Sequence, residues 1–183
     1  MNNTAHDLYN LYAAIGFISV NWSLIDQGAD ACIGIISHDC GGDSIRGTQP
    51  VSTTQKIEFL KEAFNRLPKL AAFRNEGLEA VRKYANAADF RESLMHSAPT
   101  GTAPVNGAFR FTRVKAGGKI HRIVPFNLHL NSFSKHAKRF VDLAAEMNAL
   151  ANKLLNAFAV PPGGQSLASL VESLKTTTTK EGD

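Results

Sequence analysis

Residues 8–40 read LYNLYAAIGFISVNWSLIDQGADACIGIISHDC, and the spacing of their apolar side chains decides the fold. Leu11, Ile15, Ile18, Trp22, Ile25, Ala29, Cys32 and Ile36 recur at alternating spacings of four and three, which makes one apolar stripe along an α-helix. Thr4 is the expected N-cap, with Asp7 supporting the first turn, and Gly41-Gly42 should stop the helix after about His38. At about 1.5 Å per residue such a helix is roughly 45–50 Å long, the spine of a bundle. Its most apolar run, Leu11 to Ile25, is interrupted by Ser19, Asn21 and Ser23 and followed by Asp26. That run reads as too short and too polar to span a membrane.

Outward from this helix the pattern continues. Gly41 to Pro50 is a loop, and Ser52-Thr53-Thr54-Gln55 is a capping box that opens a second helix with Ile57, Leu60, Phe64 and Leu67 on its apolar face. Pro68 ends it. A third helix carries Leu70, Phe73, Leu78, Val81 and Tyr84 and reaches about Met95, with Gly77 as a weak point in its interior. Pro99 and Pro104 break the helical period. From Ala108 to Phe126 the period becomes two, through Phe109 and Phe111, Gly117-Gly118, then Ile120, Arg122 and Val124, the pattern of a β-hairpin. Asn131 or Ser132 starts a last long helix with the stripe Phe133, Ala137, Phe140, Ala144, Met147, Ala151, Leu154 and Phe158, closed by Pro161-Pro162-Gly163-Gly164. The sequence predicts a mainly α protein. Residues 1–160 form an up-and-down four-helix bundle with a β-hairpin inserted at about residues 105–127, before the last long helix. A short amphipathic helix and a polar tail expected to be mobile occupy residues 161–183. The two long stripes also suit a helix-mediated homodimer.

The bulk composition is that of one globular domain: 183 residues, 44% hydrophobic and 20% charged. Met1 to Asp7 lacks the basic start and cleavage site of a secretory leader. Cys32 and Cys40, the only cysteines, read as reduced thiols. The expectation is a cytoplasmic protein away from membranes.

The charge distribution is more telling than the net charge of +4. Between Ser93 and Val141 there is no Asp or Glu. The same stretch holds Arg110, Arg113, Lys115, Lys119, Arg122, Lys135, Lys138 and Arg139, together with four of the six histidines. The rest of the chain has 12 Lys/Arg against 16 Asp/Glu. Such polarity is a footprint for an anionic partner, nucleic acid foremost, with those eight cations as the contacting groups. The alternative is a solvated basic hairpin that balances acidic helices.

The chemistry-bearing segment is Arg91-Glu92-Ser93-Leu94-Met95-His96. Five residues on an ideal helix rotate by about 140°, so Arg91 and His96 can face one point only if the helix ends between them. Ser97, Pro99 and Gly101 supply that end. Arg offers a permanent charge with a planar fork for phosphate, and His a group that titrates near neutral pH. Together they can cleave a phosphodiester by proton transfer and charge neutralisation, without a metal. Glu92 can share a face with His96 and orient it, or pair with Arg91. The structural alternative is that Arg91 and His96 cap their own helix.

In this segment, in the long first helix with Trp22 and Asp26, in the short capped second helix and in the helix from Phe133 to Phe158, the chain resembles the HEPN superfamily. The resemblance covers most of Leu8 to Phe158. It implies a metal-independent endoribonuclease, or a silent RNA-binding relative, of a bacterial toxin–antitoxin or antiviral defence type. In active members Arg and His of two protomers meet across a dimer interface, and the ribose 2′-hydroxyl attacks the neighbouring phosphate. Carried over, Arg91 would bind the scissile phosphate and His96 would be the acid or base. Glu92 stands where relatives commonly carry Asn, Asp or His. A protein antitoxin is a further implied partner.

No cofactor is implied. The cluster His38-Asp39-Cys40 with Asp43 lacks a second half, so it reads as a loop after a helix and not as a zinc site. Gly41-Gly42 and Gly117-Gly118 fit no phosphate or dinucleotide fingerprint. Trp22 reads as core or dimer seam. The function reading from a different class is a non-catalytic helical interaction module whose basic hairpin docks a protein or nucleic acid.

Overall fold

The stripe of residues 8–40 becomes one uninterrupted helix, α1 (Asn3–Cys40), in a computed structural model that describes residues 3–101, 103–117 and 120–158. Leu11, Ile18, Trp22, Ile25, Ala29, Cys32 and Ile36 are buried, and Ile15 packs against them. Thr4 lies inside the first turn, so it does not hold the cap position expected of it. The helix stops where Gly41 takes φ +87°, a left-handed turn that glycine adopts without a Cβ penalty. Ala5–Cys40 is long and apolar enough to cross a membrane by length and composition alone. By sequence the apolar run ends at Asp26. In the fold, Asp26 and Asp30 are met by Lys56, and the helix continues past them.

Ser52 and Gln55 form the expected capping box. The Ser52 hydroxyl accepts from the Gln55 N–H at 3.2 Å and the Gln55 side-chain carbonyl accepts from the Ser52 N–H at 3.4 Å. They start α2 (Thr53–Arg66), which ends before Pro68; a 3₁₀ segment, Pro68–Phe73, leads into α3 (Arg74–Met95). Gly77 is a packing requirement more than a weak point. A Cβ there would run into the Phe64 ring, so α2 and α3 touch through the missing side chain. Gly77→Ala is therefore expected to destabilise by about 1–3 kcal/mol despite alanine's better helix propensity, read as a lower melting temperature.

The last helix, α4 (Phe133–Phe158), buries Phe140, Leu143, Ala144, Met147, Leu150, Ala151 and Leu154. Each large side chain among them contributes about 1.5–3 kcal/mol of burial free energy. Gly28 lets α1 and α4 approach, since a Cβ there would sit 2.9 Å from the Met147 Cβ. Ala13 and Ala14 stand by Phe133 and Ala137, and Gly28 by Met147, so α1 and α4 run parallel. α3 runs against both: Ser19 meets Met95 while Asp26 meets Tyr84, and Lys83 pairs with Glu146 while Glu76 pairs with Lys153. The connection Gly41–Ser52 is the return stroke, reaching roughly 3.3 Å per residue, enough to retrace half of α1. The up-and-down alternation thus runs from α2 to α4, with α1 parallel to α4.

The inserted hairpin is present as β2 (Ala108–Gly117) and β3 (Ile120–His129), with Phe109 opposite Leu128, Phe111 opposite Phe126 and Arg113 opposite Val124. A third strand, β1 (Ala98–Pro99), pairs with β2 where the sequence pattern indicates only a break. Pro99 lacks an N–H donor but sits on an edge, and Pro125 lies on the other edge strand, the positions where a sheet tolerates proline. Phe109, Phe111 and Leu128 are buried against the helices. Lys119 and residues 161–183, with the short helix and tail read there, lie outside the described residues.

Candidate functional site

The end of α3 is built by three backbone and side-chain contacts. His96 leaves the helix at φ −107°, ψ 14° while its N–H still donates to the Glu92 carbonyl at 3.1 Å, and the Ser97 hydroxyl donates to the Ser93 carbonyl at 2.5 Å. Two residues later Pro99 enters the sheet. This termination brings Arg91 and His96 to one pocket of about 220 Å³ between α1, the start of α2 and the end of α3. Trp22, Thr53 and Thr54 line it with them, as does the exposed Asp89. Sequence periodicity had no means of finding the α2 contribution, because Thr53 and Thr54 reach the site only through the return of the Gly41–Ser52 connection.

His96 is the C-cap residue of α3 through its backbone N–H, but the side chains of Arg91 and His96 take no part in the cap. Among the described residues no side-chain hydrogen bond ties either to a backbone carbonyl. Arg91 is half-buried with its guanidinium carbon 6.0 Å from the Trp22 ring centroid, and His96 is exposed. Glu92 lines the same pocket, and its carboxylate forms an ion pair with Arg113 of β2, whose side chain is 16% exposed. Among the described residues it makes no hydrogen bond to His96 and no ion pair with Arg91. The hairpin supplies the counter-charge, leaving Arg91 without a carboxylate partner among the described residues.

Beneath the pocket lies a polar network. The Tyr84 hydroxyl donates to Asp26 at 2.5 Å, and Lys56, nearly buried, donates to Asp26 at 2.9 Å and to Asp30 at 2.8 Å. Burial, and then Asp26, push the Tyr84 phenol above its usual range, so it stays protonated as a donor. Burial alone would lower the Lys56 pKa, but hydrogen bonds to Asp30 and Asp26 outweigh it and raise the value. Burial pushes the Cys32 thiol up to about 12, which leaves it an unreactive core group.

Of the eight basic residues, Lys119 and the side chain of Lys115 lie outside the described residues, and two of the other six stand in ion pairs. Arg113 is engaged at Glu92, and Lys138 pairs with Asp142 one turn on. Arg110 and Arg122 are exposed on β2 and β3, and the ladder sets Lys115 opposite Arg122. Lys135 and Arg139 border a cleft of about 360 Å³ between α3 and α4 with Lys83 and Lys138. Inside this edge His136 lies flat on Phe90, centroids 4.2 Å apart; burial, then Arg139 and Lys135, lower its pKa and hold it neutral at pH 7. No group of three His, Cys, Asp or Glu side chains converges on a metal-sized point among the described residues.

Comparison with known proteins finds no matching family model, no matching curated protein and no matching solved structure.

Proposed function

We propose that this chain is a metal-independent endoribonuclease of HEPN type, or an RNA-binding derivative of one, acting as a cytoplasmic homodimer in a bacterial defence or toxin–antitoxin system. The observation that carries the reading is the convergence of Arg91 and His96 on one pocket, with Arg91 unclaimed by any carboxylate among the described residues because Glu92 is taken by Arg113. Arg91 would hold the phosphate and stabilise developing charge, while His96, exposed at the pocket mouth, would move the proton of the 2′-hydroxyl or of the leaving oxygen. Pure protein incubated with mixed RNA in excess EDTA should produce fragments ending in cyclic phosphate. Cleavage only on addition of magnesium would overturn the reading.

The homodimer rests on α1. Its predicted stripe is spent inside the bundle, yet the opposite face exposes Tyr9, Tyr12, Phe17, Val20 and Leu24, with no charged residue from Leu8 to Ile25. Helices that are apolar all round are covered, and a second copy would do so. Light scattering at tens of micromolar should give a dimer, and Val20→Asp a monomer; a monomeric wild type would remove the composite site.

RNA binding rests on the exposed cations. Affinity should fall with salt, and removing each cation that neutralises a phosphate should lower the slope of log K against log salt by about 0.7. The pair Arg110→Ser/Arg122→Ser tests the ribbon and Lys135→Ser/Arg139→Ser the α4 cleft. A slope unchanged in both would place binding elsewhere. The second reading, a non-catalytic module docking a partner through its ribbon, is favoured by one observation: Val114 and Ile123, a cross-strand pair, are 64% and 73% exposed.

A further inference from the structure

We infer that Trp22 is the positioning residue of the Arg91 pocket, a rigid spacer that fixes where the guanidinium charge stands. The inference rests on the reading above, since it concerns the phosphate-binding group of that same site.

Tyr84 and Arg91 are seven residues apart on α3, two turns, so they lie on nearly the same face about 10.5 Å apart along the axis. Trp22 of α1 fills that interval. Its ring stacks on Tyr84 at 5.4 Å and 15°, and the Arg91 guanidinium lies over the ring at 6.0 Å. The two separations together match the spacing of the two residues, as they would if Tyr84 and Arg91 flank opposite faces of the indole. The indole is itself held between neighbours. It is 8% exposed, and the Tyr84 hydroxyl beneath it is bound to Asp26, which is bound to Lys56. The chain of contacts runs from a part-buried ion pair through two aromatic rings to one cation.

A carboxylate could hold Arg91 as firmly, but it would cancel the charge that a phosphate needs. An aromatic face orients a guanidinium by its quadrupole and leaves the net charge and the outward N–H groups available. The neighbouring acid on α3, Glu92, is diverted to Arg113. Trp22 and Arg113 thus act on the same outcome from two sides: an oriented Arg91, without an ion pair among the described residues, at the wall of a pocket that Thr54, His96, Asp89 and Glu92 also line.

The protein offers a direct probe, because Trp22 is its only tryptophan. Fluorescence is recorded for the full-length protein alone and with a 2′-O-methylated oligonucleotide, which binds as RNA but lacks the attacking hydroxyl. Arg91→Ala should shift the emission of the free protein, and saturating oligonucleotide should shift that of the wild type but not of Arg91→Ala. Trp22→Phe, which keeps an aromatic face, should bind and cleave within about threefold of wild type. Trp22→Leu, at a matched fraction folded, should lose about tenfold in oligonucleotide affinity and about a hundredfold in kcat/KM. If Trp22→Leu does not fold, the comparison of wild type, Arg91→Ala and Trp22→Phe decides alone. Emission indifferent to Arg91→Ala, or a folded Trp22→Leu with wild-type affinity and kinetics, overturns the inference and leaves the RNase reading standing. Oligonucleotide binding with these shifts but no cleavage of ordinary RNA supports the positioning role and overturns the nuclease reading. A wild type that does not bind the oligonucleotide overturns both.

Discussion

His96→Ala is expected to cut RNA cleavage by about 10²–10⁴-fold while leaving RNA affinity nearly intact, the usual loss when a proton-transferring group is removed. The protein should stay folded, because the His96 side chain is exposed and only its backbone N–H ties it to the helix end. Arg91→Ala should lower affinity and rate together, since its charge serves ground and transition states alike. Arg91→Lys should restore only part, because the planar fork is lost. Glu92→Asn is the informative companion. It releases Arg113 from its ion pair and removes a carboxylate from the pocket, so activity that appears only in this variant would define a silenced member of its class. If the interaction-module reading is right instead, no variant cuts RNA.

Lys56→Met is expected to be the most damaging single change to stability among the charged residues, at about 2–4 kcal/mol, because it strands carboxylates that its ammonium now satisfies. The Lys56 side chain is 7% exposed, while Asp26 and Asp30 are 30% and 55% exposed, so water recovers part of the loss. For a chain of this size the melting temperature should fall by roughly 5–12 °C. Lys138→Met, which breaks an exposed pair one turn long, should change stability by no more than about 0.5 kcal/mol. Equal effects of the two would mean that burial gives the Lys56 network no special weight. The pH dependence has a definite sign. With its pKa raised on folding, Lys56 contributes fully below the unfolded lysine value, and that contribution is lost as pH climbs through the higher folded one. Alkaline unfolding of the wild type should therefore be steeper than that of Lys56→Met.

Sequence alone determined the long elements, while β1 and the 3₁₀ segment Pro68–Phe73, read as part of the third helix, came only from the structure. Stripes at spacings of three and four locate α1 and α4 to within a few residues, because helical period is local and needs no partner to be visible. Ser52 and Gln55 show the start of α2, and the change to period two shows β2 and β3, for the same reason. It also indicated that Arg91 and His96 could meet, since Ser97 and Pro99 end the helix between their faces. What only the tertiary structure decided is which group stands against which. The return of the Gly41–Ser52 connection makes α1 parallel to α4 and brings Thr53 and Thr54 to the end of α3. Gly77 has the look of a helix defect until Phe64 of another helix fills its place. Glu92 is a neighbour of His96 by spacing, but Arg113, 21 residues on, claims it. Trp22 reads as one more apolar residue on its stripe, as its burial bears out, while the cation on its face comes from 69 positions away. Ion pairs, aromatic stacks and close approaches are set by pairs remote in sequence. Their energies depend on burial and distance, and no periodicity along a single segment encodes either.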